Sequence, residues 1–271
     1  MISRWKILLM TALVSVTVVT ACTQSPTGRK QLMLFSSGQL ASLGDTSYAE
    51  LKQQEKVSSD ANVVRYVQCI TDDLIAVLPS PWRDKQWEVT VFESEQVNAF
   101  ALPGENIGVY TGLLAVTENA HQLAAVIGHE IGHVIADHGN ERMSNEMAVG
   151  LGLQLGAILA ADRLDSNTTA IAMAALGVGA QVGILLPYSR VHESESDQLG
   201  MDYMAAAGYN PAEAANLWRN MANLGGNGTP EFLSTHPSPQ SRIAAIEAYA
   251  PRLQGLYEQA RAARRTPICS L

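Results

Sequence analysis

Charge is scarce in this chain. Only 16% of its 271 residues are Asp, Glu, Lys or Arg, and the 18 basic side chains are outnumbered by 26 acidic ones. No basic run stands anywhere in it, which argues against nucleic acid as a partner, because neutralising phosphates takes clustered Lys and Arg. Cysteine is scarcer still. Three residues are too few for a disulfide-built scaffold, and none forms the CxxC pair of a zinc ribbon or redox motif. What fills the chain is apolar: at 47% hydrophobic it is too greasy and too weakly charged to be disordered. The length suffices for one large domain with a sizeable core, and no internal repeat divides it.

The N-terminus reads as an address. Arg4 and Lys6 precede Ile7–Ala21, an apolar stretch diluted by Thr and Ser. It is too short and too polar to span a bilayer and suits a secretory signal, so residues 1–21 are expected to be a signal peptide. Val19-Thr20-Ala21-Cys22 resembles the bacterial lipobox, which implies cleavage before Cys22 and acylation of that residue. Thr23, standing where Asp would retain a lipoprotein at the inner membrane, points to the outer membrane of a Gram-negative cell, facing the periplasm. An ordinary signal peptide cut near the same place is the competing reading. Residues 22–36 then form a polar, lipidated tether, and residues 37–271 form one domain. In an oxidising periplasm Cys69 and Cys269 can pair and staple the C-terminus to the body; two buried free thiols are the alternative.

Ser37–Glu55 and Asp60–Leu78 read as helices, the second with Val63, Val64, Val67, Ile70, Leu74 and Ile75 at helical spacing and Pro79 as its stop. Gln86–Phe92, Val97–Leu102 and Ile107–Tyr110 read as three strands of a small antiparallel sheet, with Pro103-Gly104 turning between the last two. From Thr117, a plausible N-cap, one long helix is expected to run through Gly128–His133 towards Glu146. Met147–Leu186 is rich in Gly, Ala and Leu and broken near Asp162–Asn167. It is too short for two membrane spans and reads as close-packed helices over the domain. Helices are expected over Pro187–Gly208, from Asn210-Pro211 to Gly225–Pro230, and from Ser238-Pro239 through Tyr249. The class is α+β, mainly helical, with the sheet beside a metal-binding helix.

His129-Glu130-Ile131-Gly132-His133 carries the chemistry. Residues four apart on a helix lie about 40° apart around its axis, so both imidazoles point the same way. Zinc accepts such a pair as two ligands of a tetrahedral site, and Glu130 stands where a carboxylate can take a proton from an activated water. His138 is a poor third ligand, about 180° round from His129 on a continuous helix. A metzincin site fails as well, because Ala136 stands where its Gly should be and Gly139 where its third His should be. Glu193, four residues before Asp197 on one helical face, is the better candidate. This is gluzincin spacing, in which Glu ligates and Asp accepts a hydrogen bond from a ligand His. His192 and Glu195 point off that face, and His121 reads as a satisfied or exposed polar residue.

These motifs, with Thr235-His236-Pro237 and Arg242-Ile243, resemble the HtpX-like metallopeptidases, family forty-eight of the peptidase classification. Asn98–Gly104 and Gly108–Leu114 are similar to that family's segment before the zinc helix, and the likeness runs from Thr27 to Ala248. The resemblance implies a zinc endopeptidase with one ion held by His129, His133 and Glu193, Glu130 as its base, and Asp197 and Arg242 behind the ligands. It is greatest to the periplasmic lipoprotein branch that trims misfolded outer-membrane proteins, so the implied partners are unfolded polypeptides and, through the anchor, the membrane. Two departures stand out: Ser196 replaces the usual Ala, and too little chain follows Ala250 for the tetratricopeptide domain some relatives carry. The family also implies that Asn98, Ala99 and Phe100 lie on an edge strand that receives substrate. It places His236 over the zinc, either as an oxyanion donor or as a fourth ligand that holds the enzyme closed. A lipoprotein chaperone or assembly factor that keeps a zinc site is the non-enzymatic alternative, and retention of Glu130 argues against it. Oligomeric state is not specified by any of these residues.

Overall fold

In a computed structural model, the described residues are 22–161, 168, 186–224, 232, 236 and 239–271. The expected signal peptide (residues 1–21), the break near residues 162–167, residues 169–185 of the apolar run, the stretch 225–230, Thr235, Pro237 and Ser238 lie outside them. Two compact units are present. One takes the described residues of Met1–Ser37 and Asp137–Tyr188, the other Gly38–Ala136 with Ser189–Leu271.

In the first unit, β1 (Cys22–Gln24) pairs antiparallel with β2 (Lys30–Leu32), Cys22 opposite Leu32. The stretch expected to be a tether thus contains a hairpin. It is fastened to α5 (His138–Ala161) by Arg29, whose guanidinium donates to both carboxylate oxygens of Glu141 at 2.6 Å, and by Gln31 Nε2 at 2.9 Å. Ser144 Oγ and Asn140 Oδ1 accept from the backbone N–H groups of Leu34 and Phe35. No helix among the described residues is long and apolar enough to cross a membrane.

The second unit is built from α1 (Ser37–Gln54), α2 (Ala61–Ile75), β3 (Glu88–Phe92), β4 (Ala99–Leu102), β5 (Asn106–Tyr110), the short α3 (Thr111–Leu114), α4 (Ala120–Ile135), α6 (Leu186–Ala206), α7 (Glu213–Asn223), α8 (Pro239–Tyr249) and α9 (Gln254–Ala262). Asp60 caps α2 through the N–H groups of Asn62 and Val63, and Val67, Ile70 and Leu74 are fully buried in the core. α9 lies beyond the last helix expected from the sequence. Cys69 on α2 is joined to Cys269 by a disulfide that ties the C-terminus to the body.

The sheet corrects the expected all-antiparallel arrangement. Its order is β3-β5-β4, with β3 and β5 parallel and β4 antiparallel to β5. The reason is burial: every residue of β5 is buried, so it takes the centre, and the chain crosses over after β3 to place β4 on the far side. The Pro103–Glu105 turn closes the β4–β5 hairpin with positive φ at Gly104 (90°) and Glu105 (61°). The outer side of β3 is met by Lys56–Ser58 through Glu93 N–H to Lys56 C=O and Ser58 N–H to Val91 C=O, while β4 forms the other edge.

The long helix expected from Thr117 is two. Its N-cap is Asn119, whose side chain accepts from Gln122 N–H. It stops at Ile135, where Ala136 N–H turns back to Gly132 and Val134 and Asp137 adopts φ 54°, a conformation that Asp tolerates better than most residues.

Candidate metal centre

α4 and α6 carry the donors, and small residues let the two helices meet. A Cβ on Gly132 would lie 3.0 Å from Ser196 O, and one on Gly200 would lie 2.7 Å from both Gly128 C and His129 N. Backbone therefore presses on backbone at the two levels that flank His129 and His133. Gly128 and Gly132 on one helix and Ser196 and Gly200 on the other are each four apart, a signal present in the sequence that the motif reading passed over.

Four side chains converge there: His129, His133, Glu193 and His236, with one donor atom of each within 4.8 Å of the others. His129 Nε2 lies 3.0 Å from His133 Nε2, 3.2 Å from His236 Nδ1 and 3.4 Å from Glu193 Oε2, and Glu193 Oε1 lies 3.4 Å from His133 Nε2. Ligands at about 2.0–2.1 Å around a tetrahedral zinc stand about 3.3 Å from one another; these four separations approach that edge length, while His236 Nδ1 and Glu193 Oε2 stand closer, at 2.8 Å. Three imidazole nitrogens and a carboxylate also make the borderline donor set zinc prefers. The residues fit the ion.

Behind the donors, Asp197 Oδ1 lies 3.0 Å from His129 Nδ1, and it can accept that ring's proton, leaving Nε2 with its lone pair toward the cluster. Arg242, buried on α8, grips Asp197 through Nε (2.7 Å) and Nη2 (2.5 Å) and Glu193 Oε2 through Nη1 (2.8 Å). Its guanidinium stacks 3.8 Å from the ring centroid of Trp218. The electrostatics follow. Burial works against ionisation of Asp197, but Arg242 and then His129 outweigh it and hold the carboxyl below its usual range. Glu193 is likewise lowered, burial being overcome by His129, His133 and His236. For His129, burial and Arg242 oppose protonation, yet Asp197 and Glu193 prevail and raise it to about 9. Two carboxylates, Glu193 within the cluster and Asp197 behind it, thus stay ionised beside the imidazole donors, as a cation site requires.

Glu130 is 3% exposed, and burial pushes its carboxyl up. Oε2 accepts from Ala101 N–H of β4 at 3.1 Å, whereas Oε1 is buried with no hydrogen-bond partner and lies 3.5 Å from His236 Nε2. An orphaned acceptor beside the donor cluster is where a water's proton would go.

The remaining sequence candidates fall elsewhere. His138 and the buried His192 and Glu195 are not in the cluster, and His121 accepts from Asn210 N–H and packs on Tyr209. On the strand, Phe100 joins an aromatic group with Tyr48, Phe92 and Tyr110, Ala99 is buried, and Asn98 Oδ1 is a buried acceptor without a partner. Trp218, Phe232 and the Ala101 N–H were not legible as site groups, since each reaches the site from a separate element.

Helix-borne histidines, an inter-helix carboxylate and an unligated Glu beside them define a zinc metallopeptidase of the gluzincin type. Residues 62–250 match the model of peptidase family M48, and the chain belongs to that family. It is 34% identical over 198 residues to the mitochondrial metalloendopeptidase OMA1 of Schizosaccharomyces pombe, covering 70% of this chain and 53% of that protein. Against OMA1 of Danio rerio it is 33% identical over 250 residues, 84% of this chain and 50% of the relative. The beta-barrel assembly-enhancing protease of Escherichia coli strain K12 is 24% identical over 234 residues, 83% and 46% respectively. The chain thus spans about half the length of these relatives.

Proposed function

We propose that this metallopeptidase cleaves unfolded or misassembled cell-envelope proteins, anchored in the outer membrane of a Gram-negative cell through an acylated Cys22. His129, His133 and Glu193 hold one zinc, Asp197 and Arg242 fix His129 and Glu193, and His236 takes the fourth corner when substrate is absent. Bound zinc supplies Lewis acidity toward a water and the scissile carbonyl. Glu130 takes a proton from the attacking water on Oε1 and passes it to the leaving amine. Substrate lies extended along β4, where strand addition reads main chain without regard to sequence, as suits a protease of unfolded chains. The observation that carries this reading is the orphaned Glu130 Oε1, set between a four-donor cluster and an N–H of the sheet edge. The envelope role draws support from the lipobox-like Cys22 and from the name of the beta-barrel assembly-enhancing relatives.

Zinc quantitation with cleavage of unfolded casein, comparing the protein with Glu130→Gln, tests the catalytic part. Full zinc with nearly all proteolysis lost is expected, and activity within about tenfold of the parent would remove Glu130 as base, since a general base contributes at least that much. Cys22→Ala tests the anchor: a larger precursor or a soluble form is expected, and a mature protein still in membranes at high salt would refute it.

A further inference from the structure

The edge of β4 is already partly occupied. Tyr110 N–H donates to Asn98 C=O at 3.1 Å, while Asn98 N–H donates to Gln96 C=O, so in the antiparallel register the Asn98 carbonyl and the backbone groups of Phe100 and Leu102 turn to β5. Val97, Ala99 and Ala101 turn theirs outward. Ala101 N–H is held by Glu130, and Val97 C=O accepts from Phe232 N–H at 3.2 Å. Phe232 is fully buried, and its ring stacks on the His236 imidazole, centroids 4.4 Å apart and planes inclined by 29°. Its carbonyl accepts from His236 N–H at 2.9 Å, and its ring also lies against Trp218, 5.4 Å between centroids. One residue is therefore tied to the sheet edge by its N–H and to His236 by both its carbonyl and its ring.

We propose that Phe232 is the positioning residue through which a substrate strand releases His236. This rests on the roles proposed above for β4 and His236. Phe232 N–H occupies the Val97 carbonyl that an added strand would use. A chain long enough to pair through Ala101, Ala99 and Val97 exchanges its own N–H for that of Phe232. The exchanges at Val97 C=O and at Ala101 N–H swap one partner for another, so the additional bonds at Ala99 and at the Ala101 carbonyl supply the drive. Phe232 leaves with its ring, and His236 loses both its stacking partner and its backbone acceptor. A short peptide that does not reach Val97 leaves His236 in place. The enzyme thereby selects extended, unfolded polypeptide over short peptides by length.

Two measurements test this. Hydrogen exchange on zinc-loaded Glu130→Gln protein, with and without reduced, carboxymethylated casein, should show amides of Val97–Leu102 gaining protection while those of Phe232 and His236 lose it. Protection gained on the strand with Phe232 and His236 unchanged would overturn the proposal, and this readout needs no catalysis and no change at Phe232. In kinetics, kcat/KM is compared for a short peptide and a long one of the same cleavage sequence. Phe232→Ala and Phe232→Leu should raise short-peptide cleavage several-fold and shrink the long-to-short ratio, Phe232→Tyr should keep the parent ratio, and His236→Ala should match Phe232→Ala without adding to it. If His236→Ala raises short-peptide cleavage but Phe232→Leu keeps the parent ratio, the coupling alone is wrong. If His236→Ala does not raise it, the underlying role of His236 is wrong.

Discussion

Gly132 meets the backbone of Ser196 so closely that a Cβ placed on it would stand 3.0 Å from the Ser196 carbonyl oxygen and 3.1 Å from its α-carbon. That contact sets the distance between the helix carrying His129 and His133 and the helix carrying Glu193. Gly132→Ala asks α6 to yield by a few tenths of an ångström, whereas Gly132→Val adds branched bulk that it cannot take up so locally, at a cost of about 1–3 kcal/mol. Zinc content should fall modestly in the first and severely in the second. Full zinc content in Gly132→Val would show that this contact does not set the donor geometry.

Arg242 offers a sharper test of the support behind the donor cluster. Its fork reaches Asp197 with two nitrogens and Glu193 with a third while its plane lies on Trp218. Lysine keeps the charge and loses the fork and the stack. Arg242→Lys should therefore weaken zinc binding by on the order of 10–100-fold, the usual cost of disturbing groups that orient ligands. A competition titration at fixed pH measures it, and an affinity equal to the parent's would reduce Arg242 to a charge.

Away from the site, Asp73 gives a pH dependence with a defined sign. Burial raises its carboxyl above the ordinary 3.8, Tyr209 donating at 2.8 Å pulls it back, and Asp72 adds to the rise. A raised folded value means the fold favours the neutral acid. That contribution is fully present below the unfolded pKa and is lost as pH rises through the folded one. Asp73→Asn keeps an acceptor for Tyr209 and removes the titration. The difference between its Tm and the parent's should move in the variant's favour as pH rises from about 4 through the folded pKa of Asp73. Parallel Tm curves would contradict the shift.

The parts of this molecule that were legible in its sequence are those fixed by spacing along one element. His129 and His133, or Glu193 and Asp197, share a face because four residues make about one turn, whatever surrounds them. The three strands were legible, but their order was not, because it depends on which strand the rest of the core buries. β5 won the centre, and the parallel β3–β5 pair followed. The break at Asp137 carries neither proline nor glycine at the broken position, so local propensity gave no warning of it. Phe232 matters through Val97 just before β4, Trp218 on α7 and its own His236, and a contact between elements leaves no local pattern.

The hairpin that follows Cys22 supplies the last prediction. Glu141 is fully buried and takes both prongs of Arg29 at 2.6 Å, with Gln31 adding a bond at 2.9 Å, while Arg29 itself is only 21% exposed. Removing one partner of such a pair leaves buried charge less well compensated, which costs up to about 3–5 kcal/mol, whereas neutralising both costs far less. Arg29→Ala should therefore loosen β1 and β2 from the start of α5, seen as faster hydrogen exchange at Thr23–Leu32 and earlier cleavage there in limited proteolysis. Arg29→Ala combined with Glu141→Gln should recover much of that protection, because no carboxylate is then left in the buried site. A double variant as loose as Arg29→Ala alone would mean that the guanidinium acts by packing rather than by charge. Parent-like exchange in Arg29→Ala would mean that the backbone bonds from Leu34 and Phe35 to Ser144 and Asn140 suffice to hold the segment.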